Sequence, residues 1–263
     1  MFDFHMHSRV SFDGKASGLD MARAAAEKGL KAICFTDHMD YDPMDPEHVL
    51  SYHIEDYRRE YDDLQIAGLT VCKGMEFGLL EDNQDIFARD RSLYPYDFII
   101  GSVHFVDGLD PYFAEYWRNT TQENGELRYL EAILKCVKVQ DNFDVLGHMT
   151  FISKCRFNPV KRPVLLSWHR ELADEIFKVL IEKGKGIEMN TSGVDRCGVY
   201  LPDPEYLRRF HELGGEIVTV GSDAHNVDRV GKYCREGCEI VRDIFGYVCT
   251  FQNRKPVFHR IQD

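Results

Sequence analysis

His5 and His7 flank a single methionine in the segment FDFHMHS, and Asp13 follows a few residues on. On a β-strand, side chains at i and i+2 share a face. If residues 2–7 are a strand, the two imidazoles project together and make half of a metal site. The alternative is a surface strand with two solvated histidines, and the rest of the chain has to decide. Short apolar runs farther along end in similar residues: Asp37 with His38, then Glu76, His104, His148, Asn190, and Asp223 with His225. Taken singly, a satisfied structural histidine or a solvated carboxylate explains each. His48, His53, His169, His211 and His259 fall in helical stretches or in the tail and read as structural, which leaves six of the 11 histidines at strand ends. Six imidazoles and three acids gathered on one rim read as a multi-metal site. Imidazole and carboxylate suit zinc, manganese or iron(II). The donors are too many for one tetrahedral ion, so two or three divalent transition metal ions sharing carboxylate bridges are expected. Metals about 3.5–4 Å apart stabilise the attacking and leaving oxygens of an in-line displacement. That is the chemistry of a phosphoesterase or a related hydrolase.

Gathering these side chains requires strands that end on one side. The pattern supplies strands over 31–38, 70–78, 96–105, 143–149, 185–192 and 215–225, besides the first. Helices are expected over 17–29, 48–68, 126–141, 167–184 and 202–214, the first capped by Ser17 and stopped by Gly29. Residues 246–261 read as a closing β-hairpin. Strands alternating with helices argue for a parallel sheet, and strands without strict alternation fit a sheet covered on both faces. Parallel barrels and doubly wound sheets both build sites at the carboxyl ends of their strands.

A length of 263 residues suits one large α/β domain, and 44% hydrophobic residues provide an ordinary core. The formal net charge of −12 argues against a general nucleic-acid binder, which needs basic stripes. The eight cysteines form no C-x-x-C pair, so a zinc ribbon is unsupported and reduced thiols in the cytoplasm are expected. Neither a signal peptide nor a membrane span is expected.

HMHS, TDH, GME, SVH, GHM and GSDAH, in this order, resemble the motifs of the polymerase-and-histidinol-phosphatase (PHP) superfamily. The resemblance runs from residue 3 to about residue 232, and the stretch from IEMNTSGVDR to GSDAHNVDRVGK is most similar to its stand-alone histidinol-phosphate phosphatases. It implies a single domain over residues 1–263, a distorted TIM-like (β/α)7 barrel with a trinuclear site at the C-terminal rim of its strands. By that resemblance His5, His7, Glu76 and Asp223 hold one metal, Asp13, His38 and His225 a second, and Glu76, His104 and His148 a third, with Glu76 bridging. Asp13 stands where many relatives have histidine, and a harder oxygen ligand tilts the metal toward manganese or iron. Asp37 is implied as an orienting neighbour. Glu76, Asp223 and His225 are the expected catalytic residues.

The implied reaction is hydrolysis of L-histidinol phosphate, a step of histidine biosynthesis, by in-line attack of a metal-bridging hydroxide. No C-x5-R phosphate loop is present. Arg156 and Arg196 lie in loops after strands that end in site residues and suit phosphate. Arg229, Asn190 and Ser192 are further candidates for substrate oxygens. The expected partner is a small phosphorylated substrate, without nucleic acid or membrane, and a homo-oligomer is compatible with this reading. Alternatives are a phosphoesterase acting on nucleotides, oligonucleotide ends or phosphotyrosine, a metal-dependent amidohydrolase, and a metal-dependent binding module. The amidohydrolase reading lacks a bridging lysine in the strands over 96–105 and 143–149.

Overall fold

The computed structural model describes residues 1–45, 47–158 and 162–260. In chain order the elements are β1 (Phe2–Met6), α1 (Gly18–Glu27), β2 (Ala32–Phe35), β3 (His38–Tyr41), β4 (Val49–Ser51), α2 (Ile54–Tyr61), β5 (Thr70–Gly78), α3 (Gln84–Asp90) and β6 (Phe98–Ser102). They continue as α4 (Gln122–Val139), β7 (Val145–Leu146), α5 (Leu166–Glu182), β8 (Gly186–Asn190), α6 (Val194–Cys197), α7 (Pro204–Glu212), β9 (Val218–Gly221), α8 (Cys234–Phe245), β10 (Val248–Gln252) and β11 (Lys255–His259).

Seven strands follow one another as β1-β2-β5-β6-β7-β8-β9, every pairing along the path parallel. The path returns on itself at its ends. Met6 bridges Ala224, the Asp223 amide donates to the His5 carbonyl at 2.8 Å, and the His7 amide donates to the Ala224 carbonyl at 2.8 Å. The result is the expected distorted TIM-like barrel, nearly closed, with helices outside. Its strands are buried on both faces, which explains their continuous apolar runs.

The local chemistry of α1 follows the sequence. Ser17 accepts the Asp20 amide at its start, and Gly29 takes φ +74° just past its end. The stretch 48–68 does not form the long helix expected of it. Its first residues become β4, paired antiparallel with β3 through Met39–Ser51, Asp40–Leu50 and Tyr41–Val49, and only Ile54–Tyr61 is helical. Backbone pairing offered by a neighbouring strand overrides the local helical pattern there. Helix α8 is an element the sequence reading passed over. Its buried stripe of Cys234, Cys238, Val241 and Phe245 has helical spacing, with two thiols acting as small hydrophobes.

Strand β3 also pairs parallel with β5, and that register sets His38 directly beside Glu76. The closing hairpin is present as β10 and β11, while residue 261, where it was expected to end, lies outside the described residues. Its Phe251 packs on Phe98, with centroids 4.8 Å apart, and His259 packs on Phe2 at 4.5 Å. Those contacts cover the N-terminal ends of β6 and β1. Among the described residues no helix is long and apolar enough to cross a membrane.

Candidate metal centre

The nine residues expected to ligate metals meet at the carboxyl ends of the barrel strands. His5 Nε2 lies 3.1 Å from His7 Nε2, 3.2 Å from Glu76 Oε2 and 3.8 Å from Asp223 Oδ1. His7 Nε2 lies 3.4 Å from the same Glu76 oxygen and 3.5 Å from the same Asp223 oxygen. Around a tetrahedral ion with ligand bonds near 2.1 Å, donor atoms stand about 3.4 Å apart. On its other side, Glu76 Oε1 lies 2.8 Å from His148 Nε2 and 3.5 Å from His104 Nε2, and those two nitrogens are 3.4 Å apart. The third group is looser. Asp13 Oδ2 lies 2.9 Å from His225 Nε2 and 3.8 Å from His38 Nε2, and His38 Nδ1 comes within 3.2 Å of Glu76 Oε2.

Hydrogen bonding explains why these atoms face inward. His5 Nδ1 faces Glu188 Oε1 at 2.6 Å, His7 Nδ1 faces Ser11 Oγ at 3.2 Å, His104 Nδ1 faces Asp40 Oδ1 at 2.9 Å, and His225 Nδ1 faces the Asp223 carbonyl at 2.9 Å. Each of these oxygens can accept an Nδ1–H, the tautomer that leaves the Nε2 lone pair for the centre. Ser11 is itself held, because its hydroxyl donates to Asp37 Oδ1 at 2.9 Å. Asp37 also accepts the Ser8 amide and the Tyr61 hydroxyl, and its link to His7 runs through Ser11. Asp223 sits at φ 54°, a left-handed conformation that aspartate tolerates and that is often found at functional sites.

The fit to metal ions rests on one atom. Glu76 Oε2 is buried and no hydrogen-bond donor reaches it, although three imidazole nitrogens surround it within 3.4 Å. Lone pairs and a carboxylate converging in a dry pocket call for a positive charge between them. The titration behaviour says the same. Burial pushes the His5 imidazolium down, but the carboxylates of Glu188, Glu76 and Asp223 outweigh it and hold its pKa well above the usual range. His104 is raised in the same way against burial by Asp40 and Glu76, and His38 reaches about 9 beside Glu76, Asp40 and Asp13. His7 goes the other way, to about 3, through burial and the neighbouring His225 and His38. Burial raises Glu76 and Asp223, yet surrounding cations and imidazoles keep both carboxyls well below the ordinary range.

The phosphate candidates are arranged differently. Asn190 is buried and bonded internally: it donates to Glu188 at 3.2 Å and accepts the Ser192 amide and hydroxyl at 3.0 and 2.6 Å. Ser192 Oγ stands 3.1 Å from Asp223 Oδ2, at the edge of the centre. Arg229 is ion-paired with Asp195. Arg196 is exposed, 3.2 Å from the Tyr112 hydroxyl, and Arg156 is exposed with its guanidinium over Phe157. Among the described residues, neither of these two arginines pairs with any of the nine.

Three residues not foreseen from the sequence complete the arrangement: Asp40, Glu188 and Lys154. Asp40 stands two residues beyond His38 on β3 and Glu188 two before Asn190 on β8, the same i, i+2 spacing that marks His5 and His7. Applied to every strand, that rule would have found both. Lys154 ends the short 3-10 turn Phe151–Lys154 and carries no periodic signal.

A 27% identical relative, "Probable histidinol-phosphatase" of Clostridium acetobutylicum, matches over 98% of this chain and 96% of its own. The "Histidinol-phosphatase" of Lactococcus lactis is 30% identical over 86% of this chain and 85% of its own. A solved structure of histidinol phosphate phosphatase from Lactococcus lactis, complexed with zinc, L-histidinol and phosphate, superposes with a TM-score of 0.86 at 26% identity, covering 97% of this chain and 98% of that one. The PHP domain family matches residues 3–192, the span that carries the histidines of β1 and the strands through β8, and the chain belongs to that family.

Proposed function

We propose that this chain is a metal-dependent phosphomonoesterase that hydrolyses L-histidinol phosphate to L-histidinol and phosphate. The observation that carries the reading is the near full-length superposition on a histidinol phosphate phosphatase solved with zinc, L-histidinol and phosphate. The unpartnered Glu76 carboxylate oxygen among imidazoles supports it from within the molecule.

Three divalent ions are assigned: one to His5, His7, Glu76 and Asp223, one to Asp13, His38 and His225, and one to Glu76, His104 and His148. When bound, such ions supply a water-derived nucleophile at neutral pH and neutralise charge on phosphoryl oxygens. The protein does the rest. Glu188, Asp40 and Ser11 lock imidazole tautomers. Glu76 presents one oxygen to each side of the centre, with Ser102 Oγ steadying Oε1 at 2.6 Å. Asp223 faces His5 and His7 with one oxygen and Ser192 with the other. Zinc, manganese and iron all suit the donor set. Arg156 and Arg196 remain the proposed phosphate contacts from the loops, and Ser192, 3.1 Å from Asp223 Oδ2, is the further candidate at the cluster itself. A cytoplasmic setting, and action of residues 1–263 as one unit, belong to the same proposal.

Phosphate release from metal-quantified protein tests it. The substrates are L-histidinol phosphate, nucleotides, phosphotyrosine and a generic aryl phosphate, each with and without chelator. Selective, chelator-sensitive release from L-histidinol phosphate is expected. Preferential release from nucleotides or phosphotyrosine would transfer the site to another phosphoester. No release from any of them would withdraw the phosphatase reading and direct attention to amide substrates.

A further inference from the structure

The side chain of Lys154 is 8% exposed, and among the described residues its ammonium has two acceptors. Nζ lies 2.6 Å from Asp223 Oδ2 and 2.7 Å from Ser192 Oγ. Lysine carries three N–H donors. Among the described residues no third acceptor reaches Nζ. The Phe151 ring stands 5.0 Å away and packs in turn on His148, 5.2 Å between centroids. The ammonium is thereby held against the metal centre instead of reaching into solvent. Lys154 is also the only lysine or arginine among the described residues to pair with any of the nine clustered side chains. The arginines singled out from the sequence are exposed or already paired.

Asp223 divides its carboxylate. Oδ1 turns to His5 and His7, and Oδ2 turns to Lys154. Neutralising Asp223 takes one of the ammonium's N–H groups, and Ser192 takes a second. An ammonium with an open donor beside the clustered imidazoles and carboxylates has a further use.

We propose that Lys154 is a catalytic residue that donates its third N–H to a phosphoryl oxygen of the substrate while Asp223 and Ser192 hold it in place. This rests on the phosphatase reading of the site. The ammonium then stabilises negative charge that grows on the phosphoryl group during transfer, in a water-poor position where one such donor is worth about 100-fold or more in rate. It retains its proton throughout, and no bond to it forms or breaks.

The test compares the metal-loaded wild type with Lys154→Gln and Lys154→Arg. Hydrolysis of an aryl phosphate, inhibition by inorganic phosphate and metal content are measured together. For K154Q the expected result is full metal content, kcat lowered about 100-fold, and inhibition by phosphate weakened about 10-fold or more. K154R is expected to recover part of both. Unchanged inhibition by phosphate in a metal-replete K154Q protein overturns the proposal. So does a K154Q protein that loses metal and regains wild-type turnover when metal is supplied in excess, because Lys154 would then serve Asp223 alone. If K154Q does not fold, the wild-type holoenzyme decides: phosphate must shift the 15N ammonium resonance of a buried lysine, and no shift overturns the assignment. Aryl phosphate and inorganic phosphate do not depend on the organic half of the substrate. Failure of L-histidinol phosphate as substrate therefore leaves this test intact and distinguishable.

Discussion

Glu188 Oε1 stands 2.6 Å from His5 Nδ1, and both side chains are shut away from solvent. The carboxylate comes from β8 and the imidazole from β1, strands separated in the sheet only by β9. Its second oxygen accepts the His148 amide at 2.8 Å, so one side chain fixes a histidine on each side of Glu76. Replacing Glu188 by glutamine preserves shape but weakens the acceptor that holds the His5 tautomer. Metal affinity is expected to fall about 10–100-fold, measured by competition with a chromophoric chelator. Wild-type affinity in E188Q would show that His5 needs no such support.

Asp40 has two imidazoles to serve. Its carboxylate meets His104 Nδ1 at 2.9 Å and His38 Nδ1 at 3.0 Å, and burial is outweighed by these two neighbours so that its pKa falls to about 2. Asparagine carries no charge and offers one acceptor and one donor in the same space, so it cannot face both rings as the carboxylate does. D40N is expected to weaken one bound ion about 10–100-fold relative to the others, seen as a lower metal-to-protein ratio after dialysis. Gly78→Ala should do likewise, because a Cβ there would run into Asp40 Oδ1. A full complement of ions in both variants would remove Asp40 from the design of the centre.

Proton release should accompany metal binding. In chelator-treated protein at pH 7, His38, raised to about 9 beside Glu76, Asp40 and Asp13, carries a proton, and neighbouring carboxylates shift His5 and His104 in the same direction, whereas burial and two neighbouring imidazoles lower His7 to about 3. A metal must displace such protons. Affinity should therefore fall as pH drops below about 9, the value for His38. Calorimetric titration in two buffers of different ionisation enthalpy measures the release directly. No net release at pH 7 would contradict this electrostatic account.

Apart from Asp13, a loop residue that only the family resemblance pointed to, the histidines and acids were legible because each ends a short apolar run, and a parallel sheet gives all such ends one rim. Asp40 and Glu188 were legible in principle, since Asp40 lies two residues beyond His38 and Glu188 two before Asn190, each on the same strand face as its neighbour. Lys154 was not legible. It reaches Asp223 across 69 residues from an irregular turn, and neither period nor spacing announces it. The strand at Val49–Ser51 was hidden for a related reason: its partner is β3, which leaves the barrel path to pair with it, and residues 48–68 alone carry no sign of that pairing. Helix α8 is hard to see in the sequence because two of its buried positions are cysteines, a residue type that reads as ligand as readily as core.

Closure of the barrel and construction of the site meet at Gly221, the last residue of β9. A Cβ at this position would collide with His5 Cβ and Glu188 Oε1, and it would stand 3.1 Å from the His5 backbone nitrogen. The glycine lets β9 approach β1 closely enough for the Asp223 amide to bond the His5 carbonyl at 2.8 Å. That bond carries Asp223 to the same point as His5 and His7. Overpacking of this kind costs about 1–3 kcal/mol, and each kcal/mol lowers Tm by about 2–4 °C in a chain of this size class. Gly221→Ala is therefore expected to lose several degrees in a thermal melt and to bind metal more weakly at His5. The two effects should appear together, because one displacement causes both. A variant that melts early but binds metal as the wild type does would separate closure from the site, and β9 would then position Asp223 by some route other than its approach to β1.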